Sequence, residues 1–289
     1  MGDKSTAFTG IRNIKIDINK HIDFTTPKIM GILNITPDSF YDGGKYTNTD
    51  NLLEKAELML KAGADIIDIG TVSTRPGAEN ISVDEELKRI IAPLELLINS
   101  FPEAIFSIDT YRSKVAYETI GVGAHIINDI SGGTMDEQMF TTIAKLKVPY
   151  ILMHIHGTPK TMQHSPISEN VVGEVVQFFQ TRADKLNKLG VEDIILDPGF
   201  GFGKTLDSNY TLLRNIDNIR INNLPVLAGV SRKSMISKVL KLSPDRALNG
   251  TTVLNTIALL NGANLLRVHD VEEANECIRL ISRYKNTSE

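Results

Sequence analysis

Short apolar, β-branched runs alternate with helical stretches from residue 28 to the C-terminal end of the chain. The strand-like runs are Lys28–Ile35 (KIMGILNI), Asp65–Gly70 (DIIDIG), Ile105–Thr110 (IFSIDT), His125–Ser131 (HIINDIS), Tyr150–His154 (YILMH), Ile194–Pro198 (IILDP), Val226–Val230 (VLAGV) and Leu265–Asp270 (LLRVHD). Between them, segments such as Asn51–Ala62, Val83–Asn99, Asp136–Leu146, Asn170–Leu189, Tyr210–Asn218 and Val253–Asn261 repeat their apolar positions at helical spacing. Gly63, Gly123, Gly190 and Gly262 each shortly precede a strand, as helix C-caps and turns do. Continuously apolar strands that alternate with helices predict a parallel sheet covered by helices. Eight such units within about 260 residues suit an α/β fold of the (β/α)8 TIM-barrel type better than an open two-domain sheet. No linker-like composition divides them. The expected organisation is an N-terminal extension over residues 1–27 and a barrel over 28–289, with IRNIKIDINK (11–20) forming a hairpin across the barrel bottom.

Composition narrows the partners. With 289 residues, 42% hydrophobic and 23% charged, the chain has the balance of a soluble globular protein. A net charge of −4 and a pI near 5.9 argue against a general nucleic-acid surface. The single cysteine, Cys277, excludes an intramolecular disulfide framework and reads as a buried thiol in a reducing compartment. No apolar run approaches the ~18 residues of a membrane span, and no signal core is present. Met1-Gly2 with Thr6 fits the short myristoylation pattern, but no polybasic stretch follows. The expectation is a cytoplasmic protein that engages neither membrane nor nucleic acid.

Each strand turns polar at its C-terminal end: Asn34, Asp68, Asp109, Asn128 with Asp129, His154, Asp197, Ser231 with Arg232 and Lys233, then Arg267 with His269 and Asp270. One such residue is a common helix cap or turn former. A closed parallel barrel gathers all of them at one mouth, where the active sites of this fold lie. Asp109, Asn128 and Asp197 offer acceptors and an amide, suited to the amino-pyrimidine edge of a flat heterocycle. Arg75, Arg267 and His269 make a cationic end suited to phosphate. The runs TPDSFYDGGKYTNTD (36–50) and TVSTRPGAENISVDEE (71–86) hold few anchoring apolar residues and read as lids. His154 and His156 are set aside as a metal pair.

The stretch LDPGFGFGKT (196–205) imitates a nucleotide loop, with three glycines running into Lys204-Thr205. A P-loop needs a glycine five positions before Gly203, where Pro198 stands. A dinucleotide fingerprint from Gly199 and Gly201 needs its third glycine at Lys204. Both patterns fail, and the loop is expected to serve the barrel mouth instead.

Eight ordered motifs carry a resemblance: MGILNITPDSF (30–40), STRPGA (73–78), IDT (108–110), IND (127–129), LMHIHGTPKTMQ (152–163), LDPGFGFGK (196–204), GVSRKS (229–234) and RVHD (267–270). Together they resemble the dihydropteroate synthase family, which joins a pterin diphosphate to p-aminobenzoate in folate synthesis. The resemblance runs from Lys28 to Tyr284. It implies that Asp109, Asn128, Asp197 and Lys233 meet the pterin, and that Asn34, Arg75, Arg267 and His269 meet the diphosphate. Asn34 is also an implied ligand of Mg²⁺. Thr74, Pro76, Phe202 and Ser234 are implied to frame p-aminobenzoate, and Lys204 to be structural. A homodimer through late helices is implied too. Departures are His156 where glutamine is frequent, Arg112 where lysine is common, and Thr71-Val72 in place of a Gly-Glu-like pair. None removes an implied substrate contact. A methyltetrahydrofolate-binding methyltransferase domain or a non-catalytic pterin barrel would share the carboxylates. The methyltransferase needs no diphosphate site, against which STRPGA, SRKS and RVHD weigh, and a binding barrel should show a broken motif, which none of the eight is.

Overall fold

The structure, a computed structural model, describes residues 10–18, 20–35, 45–71, 81–162 and 164–287. A two-stranded antiparallel hairpin comes first, β1 (Ile14–Asp17) with β2 (Lys20–Ile22), in the register Ile14 to Ile22. The repeating units follow: β3 (Lys28–Asn34), α1 (Lys45–Lys61), β4 (Ile66–Gly70), α2 (Val83–Ser100), β5 (Phe106–Asp109), α3 (Ser113–Val122), β6 (Ile126–Asp129), α4 (Met139–Leu146) and β7 (Tyr150–Met153). The second half runs α5 (Val171–Lys188), β8 (Ile194–Asp197), α6 (Leu206–Arg214), α7 (Ile216–Ile219), β9 (Leu227–Ala228), α8 (Ser234–Leu240), α9 (Leu248–Leu260), β10 (Leu265–Val268) and α10 (Val271–Lys285).

All pairings in the eight-stranded sheet are parallel, in the order β8-β7-β6-β5-β4-β3-β10-β9. A parallel bridge between Leu196 and Val226, with Leu196 N–H donating to Pro225 O at 2.9 Å, joins β8 to the residues leading into β9. The sheet thereby closes into a (β/α)8 barrel.

The period of two sorts the strand residues into two cores. Ile29, Ile67, Ile69, Phe106, Ile108, Ile127, Leu152, Leu196 and Leu266 point outward and pack with the helices. Met30, Ile66, Ile105, Ile126, Ile151, Ile195, Leu227 and Leu265 form a second cluster inside the barrel, together with Ile14, Ile16, Ile22 and Phe24 of the hairpin segment. The hairpin is a plug under the barrel bottom, as its alternating pattern suggests. Burying side chains of this size stabilises by ~1.5–3 kcal/mol each.

Several boundaries differ from the sequence expectation. α1 starts at Lys45, inside the run read as a loop, because KYTNTD carries no apolar periodicity to betray a helix. The segment Tyr210–Asn218 is two helices that part at Asn215, the first capped by Thr205, which accepts Ser208 N–H at 3.1 Å. β9 keeps only two residues. Gly63, Gly123, Gly190 and Gly262 all adopt positive φ, as turns after helices require.

Candidate active site

Two residues beyond the inner apolar layer, the same strand faces turn polar. Ile66 is followed by Asp68, Ile105 by Ser107 and then Asp109, Ile126 by Asn128, Ile195 by Asp197 and Leu265 by Arg267. Asp68, Asn128 and Asp197 are buried. The expected ring therefore exists, sunk below the rim.

Its centre is a network from four strands. Asp68 Oδ2 accepts Asn128 Nδ2 at 2.9 Å and Arg267 Nε at 2.7 Å, while Arg267 Nη2 donates to Asp109 Oδ2 at 2.7 Å. Arg267 Nη2 also lies 2.7 Å from Asp68 Oδ2. Asp68 Oδ1 and Asn128 Oδ1 are buried without a hydrogen-bond partner among the described residues. Burial pushes the Asp109 carboxyl up to about 7, with Arg267 opposing and Asp68 reinforcing the rise. Burial also works against the Arg267 charge, but Asp68 and Asp109 more than offset it and raise the guanidinium above its ordinary value. Asn34 joins this group from β3: the place of a Cβ on Gly70 would lie 3.5 Å from Asn34 Oδ1 and 3.6 Å from Asp109 Cβ.

The 196–205 loop forms the neighbouring wall. Gly199, Gly201 and Gly203 take φ of +65°, +84° and +68°, a region that favours glycine. A Cβ at Gly199 would stand 2.0 Å from His154 O, and one at Gly203 would stand 2.3 Å from His156 O. The loop is thus folded against the end of β7. Lys204 holds it there: its buried Nζ donates to Gly199 O at 2.9 Å, Phe202 O at 3.0 Å and His154 O at 3.3 Å. The nucleotide-like lysine is a strut, with its carbonyls already in hand. Burial lowers its pKa to about 7, against the pull of Asp197.

Asp197 accepts the Gly199 N–H at 2.7 Å, and burial raises its carboxyl against the opposing effect of Lys233. Lys233 donates to Phe200 O and lies over the Phe202 ring, 4.9 Å from its centroid. Burial lowers Lys233 to about 8, with Asp197 opposing. Phe202 is half-buried as the outer wall of this corner. Ser234 opens α8 beside Lys233 and is exposed, at the rim rather than in the network.

His269 is exposed beyond Arg267 and is held by Ser231, whose Oγ lies 2.9 Å from His269 Nδ1. Arg232, by contrast, is committed to Asp270 through Nε–Oδ2 at 2.9 Å and Nη2–Oδ1 at 2.5 Å. That fork ties the GVSRKS and RVHD motifs together. Thr74, Arg75 and Pro76 lie outside the described residues, as do much of both runs read as lids and Gly43-Gly44. β7 stops at Met153, His154 is buried with its Nδ1 without a partner among the described residues, and His156 is exposed. Among the described residues no three His, Cys, Asp or Glu side chains converge to hold a metal. Cys277 is buried, near Thr256 and Thr252.

Two residues carry more of the site than their sequence context discloses. Asp68 and Ser231 are visible as polar strand ends, but no role falls to either until the barrel brings Arg267 and His269 beside them.

The family model described as pterin binding enzyme matches residues 30–269. The chain is 44% identical to the dihydropteroate synthase of Escherichia coli K12 over 262 residues, covering 90% of this chain and 92% of that protein. The Yersinia pestis dihydropteroate synthase, crystallised with a sulfonamide drug complex, superposes with a TM-score of 0.87 at 39% identity, over 96% of this chain and 100% of that one. The Xanthomonas albilineans dihydropteroate synthase with 4-aminobenzoic acid gives 0.86 at 32% identity, over the same shares.

Proposed function

Because the chain belongs to the dihydropteroate synthases of the pterin-binding enzyme family, and so joins 7,8-dihydropterin-6-ylmethyl diphosphate to p-aminobenzoate with release of diphosphate, we propose that its barrel mouth divides this work between a pterin edge and a diphosphate end. Asp197, Asp109 and Asn128 receive the ring's N–H donors, and Lys233 meets its carbonyl side. Arg267 and His269, with Arg75, take the diphosphate. Phe202 and Ser234, with Thr74 and Pro76, frame the aminobenzoate. The observation that carries the division is Arg267, pinned between Asp68 and Asp109, because one cation thereby borders both the ring carboxylates and the anion end.

The C–O bond to diphosphate breaks first, and its electrons leave on the phosphate oxygen. The pterin ring spreads the positive charge of its methylene carbon, which the Asp109 and Asp197 carboxylates stabilise. The aminobenzoate nitrogen then forms the C–N bond with its lone pair and releases a proton to diphosphate or solvent. Asn34 suits Mg²⁺ because it is an exposed neutral oxygen ligand at a strand end, fitting an ion that keeps most of its coordination on substrate and water. When bound, Mg²⁺ supplies neutralisation of the departing charge.

Diphosphate release from the dihydropterin substrate, followed with and without p-aminobenzoate, tests this reading. Rapid release with the amine is expected. Slow release without it is expected too, yielding the pterin alcohol by capture of water. Strict dependence on the amine would favour direct displacement and overturn ionisation first. No release under either condition would overturn the reading as a whole.

The same reading places the protein in the cytoplasm as a homodimer. Val239 and Leu240 of α8, Val253 and Leu260 of α9, and Leu280 and Tyr284 of α10 are exposed apolar residues on the late helices, suited to a second copy. No helix among the described residues is long and apolar enough to cross a membrane. Sedimentation equilibrium showing only monomer at micromolar concentration would remove the dimer.

A further inference from the structure

We infer that Asp68 is a positioning residue that sets which way round Asn128 and Arg267 face the pterin diphosphate. The inference rests on Asn128 meeting the pterin and Arg267 the diphosphate, and deepens that assignment. Asp68 lies in β4 between Ile67 and Ile69, fully buried and turned into the barrel. An ionised carboxylate only accepts hydrogen bonds. The two ends of an asparagine amide are nearly equal in size and opposite in character, and nothing in Asn128 itself chooses between them. Asp68 chooses. Its Oδ2 takes one N–H of Asn128 Nδ2 at 2.9 Å, so the Asn128 side-chain oxygen is turned away from Asp68 and towards a ligand.

That oxygen is buried and has no partner among the described residues. It is an acceptor waiting for an N–H, and the dihydropterin edge supplies N–H groups. A reversed amide would set oxygen against oxygen at Asp68 and present a donor to a donor. The same Asp68 oxygen takes Arg267 Nε at 2.7 Å, while Asp109 takes Nη2 at 2.7 Å. Among the described residues none accepts from Nη1. The guanidinium is therefore fixed in plane and angle, with its remaining donors directed away from the two carboxylates.

Asp68 also keeps its second oxygen buried without a partner among the described residues, which stability alone does not favour. A residue retained for fold would be expected to satisfy both oxygens. One that orients two ligand-reading groups has a reason to tolerate the cost.

The experiment is a set of double-mutant cycles on binding, with two separate probes: 6-hydroxymethyl-7,8-dihydropterin, which lacks diphosphate, and Mg²⁺-diphosphate. The near-isosteric Asp68→Asn should weaken the pterin probe by about tenfold or more, because its amide allows Asn128 to turn. In an Asn128→Ala background the same substitution should cost less than about twofold. The diphosphate probe should show the same collapse of effect in an Arg267→Ala background. The KM for p-aminobenzoate should stay within about twofold in Asp68→Asn, where a general distortion of the barrel would move it. Equal losses in both backgrounds overturn the positioning role while leaving the site assignment intact. No loss from Asn128→Ala and Arg267→Ala themselves means that the assignment has failed, and the inference with it. Should Asp68→Asn not fold, nitrogen-15 NMR of the wild-type Asn128 side chain decides. One of its two amide protons should stay on Asp68 with the pterin probe bound, and loss of that contact for both protons overturns the inference.

Discussion

Ser231 Oγ lies 2.9 Å from His269 Nδ1 and also accepts the His269 backbone N–H at 3.2 Å. The two contacts from one hydroxyl fix the imidazole relative to its own backbone, with Nε2 the nitrogen turned away from Ser231. Ser231→Ala should leave the fold unchanged and weaken Mg²⁺-diphosphate binding by about three- to tenfold through loss of one hydrogen bond that orients the ring. The pterin alcohol should bind as before. Calorimetry with the two ligands checks both halves.

Binding of the pterin should peak in a narrow pH window. Burial raises Asp109 to about 7, so its carboxylate is present above that pH and lost below it. Burial lowers Lys233 to about 8, so its cation is present below that pH and lost above it. Affinity should fall on both sides, and Asp197, raised in the same direction as Asp109, should steepen the acid limb. Lys233→Arg should abolish the alkaline limb, because a guanidinium does not titrate there. Calorimetric affinities measured across the window check the limbs. An alkaline limb that persists in Lys233→Arg assigns it elsewhere.

Lys204→Met should unfasten the wall of the pterin corner without touching a ligand. Three carbonyls lose their donor, which costs ~1–3 kcal/mol for each one left buried and unpaired. Urea unfolding should show the loss of stability, and the pterin affinity should drop because Asp197 is braced by Gly199 of the same loop. Nucleotide affinity, measured with ATP, should be absent in both wild type and variant. ATP binding that disappears in Lys204→Met would restore the nucleotide-loop reading.

Phe24→Ala, in the barrel plug, should destabilise by ~3–5 kcal/mol because a fully buried ring is removed from a packed layer. The pterin site sits two or more residues further along the strands and should keep its KM within about twofold in the folded fraction. Denaturant unfolding and steady-state kinetics on the same preparation separate the two effects.

The barrel was legible because its information is local. Each strand declares itself within about six residues, and each polar end follows its apolar run directly. Parity could also be read from the chain: Ile66 and Asp68, or Ile126 and Asn128, must share a face. What could not be read is who meets whom across the barrel. Arg267 and Asp68 are 199 positions apart and touch only because β10 pairs with β3 and β3 with β4. Ser231 and His269 meet over 38 positions for the same reason, through β9 and β10. Arg232 reads from the chain only as a polar residue at a strand end, and its tie to Asp270 comes from the pairing of β9 with β10. Helix starts built from polar residues, as in KYTNTD, were hidden because periodicity has nothing apolar there to count.

The hairpin under the barrel has a kinetic consequence. With Ile14, Ile16, Ile22 and Phe24 closing the bottom, the described residues leave the polar ring open at the opposite end, and substrates and products share that mouth. The groups assigned to the pterin, Asn128 and Asp197, are buried, whereas Ser234, assigned to the aminobenzoate, is exposed at the rim. Traffic is therefore last in, first out. A p-aminobenzoate molecule seated at the doorway ahead of the pterin diphosphate obstructs the path its own partner needs, so excess of the second substrate should slow the enzyme by blocking arrival of the first.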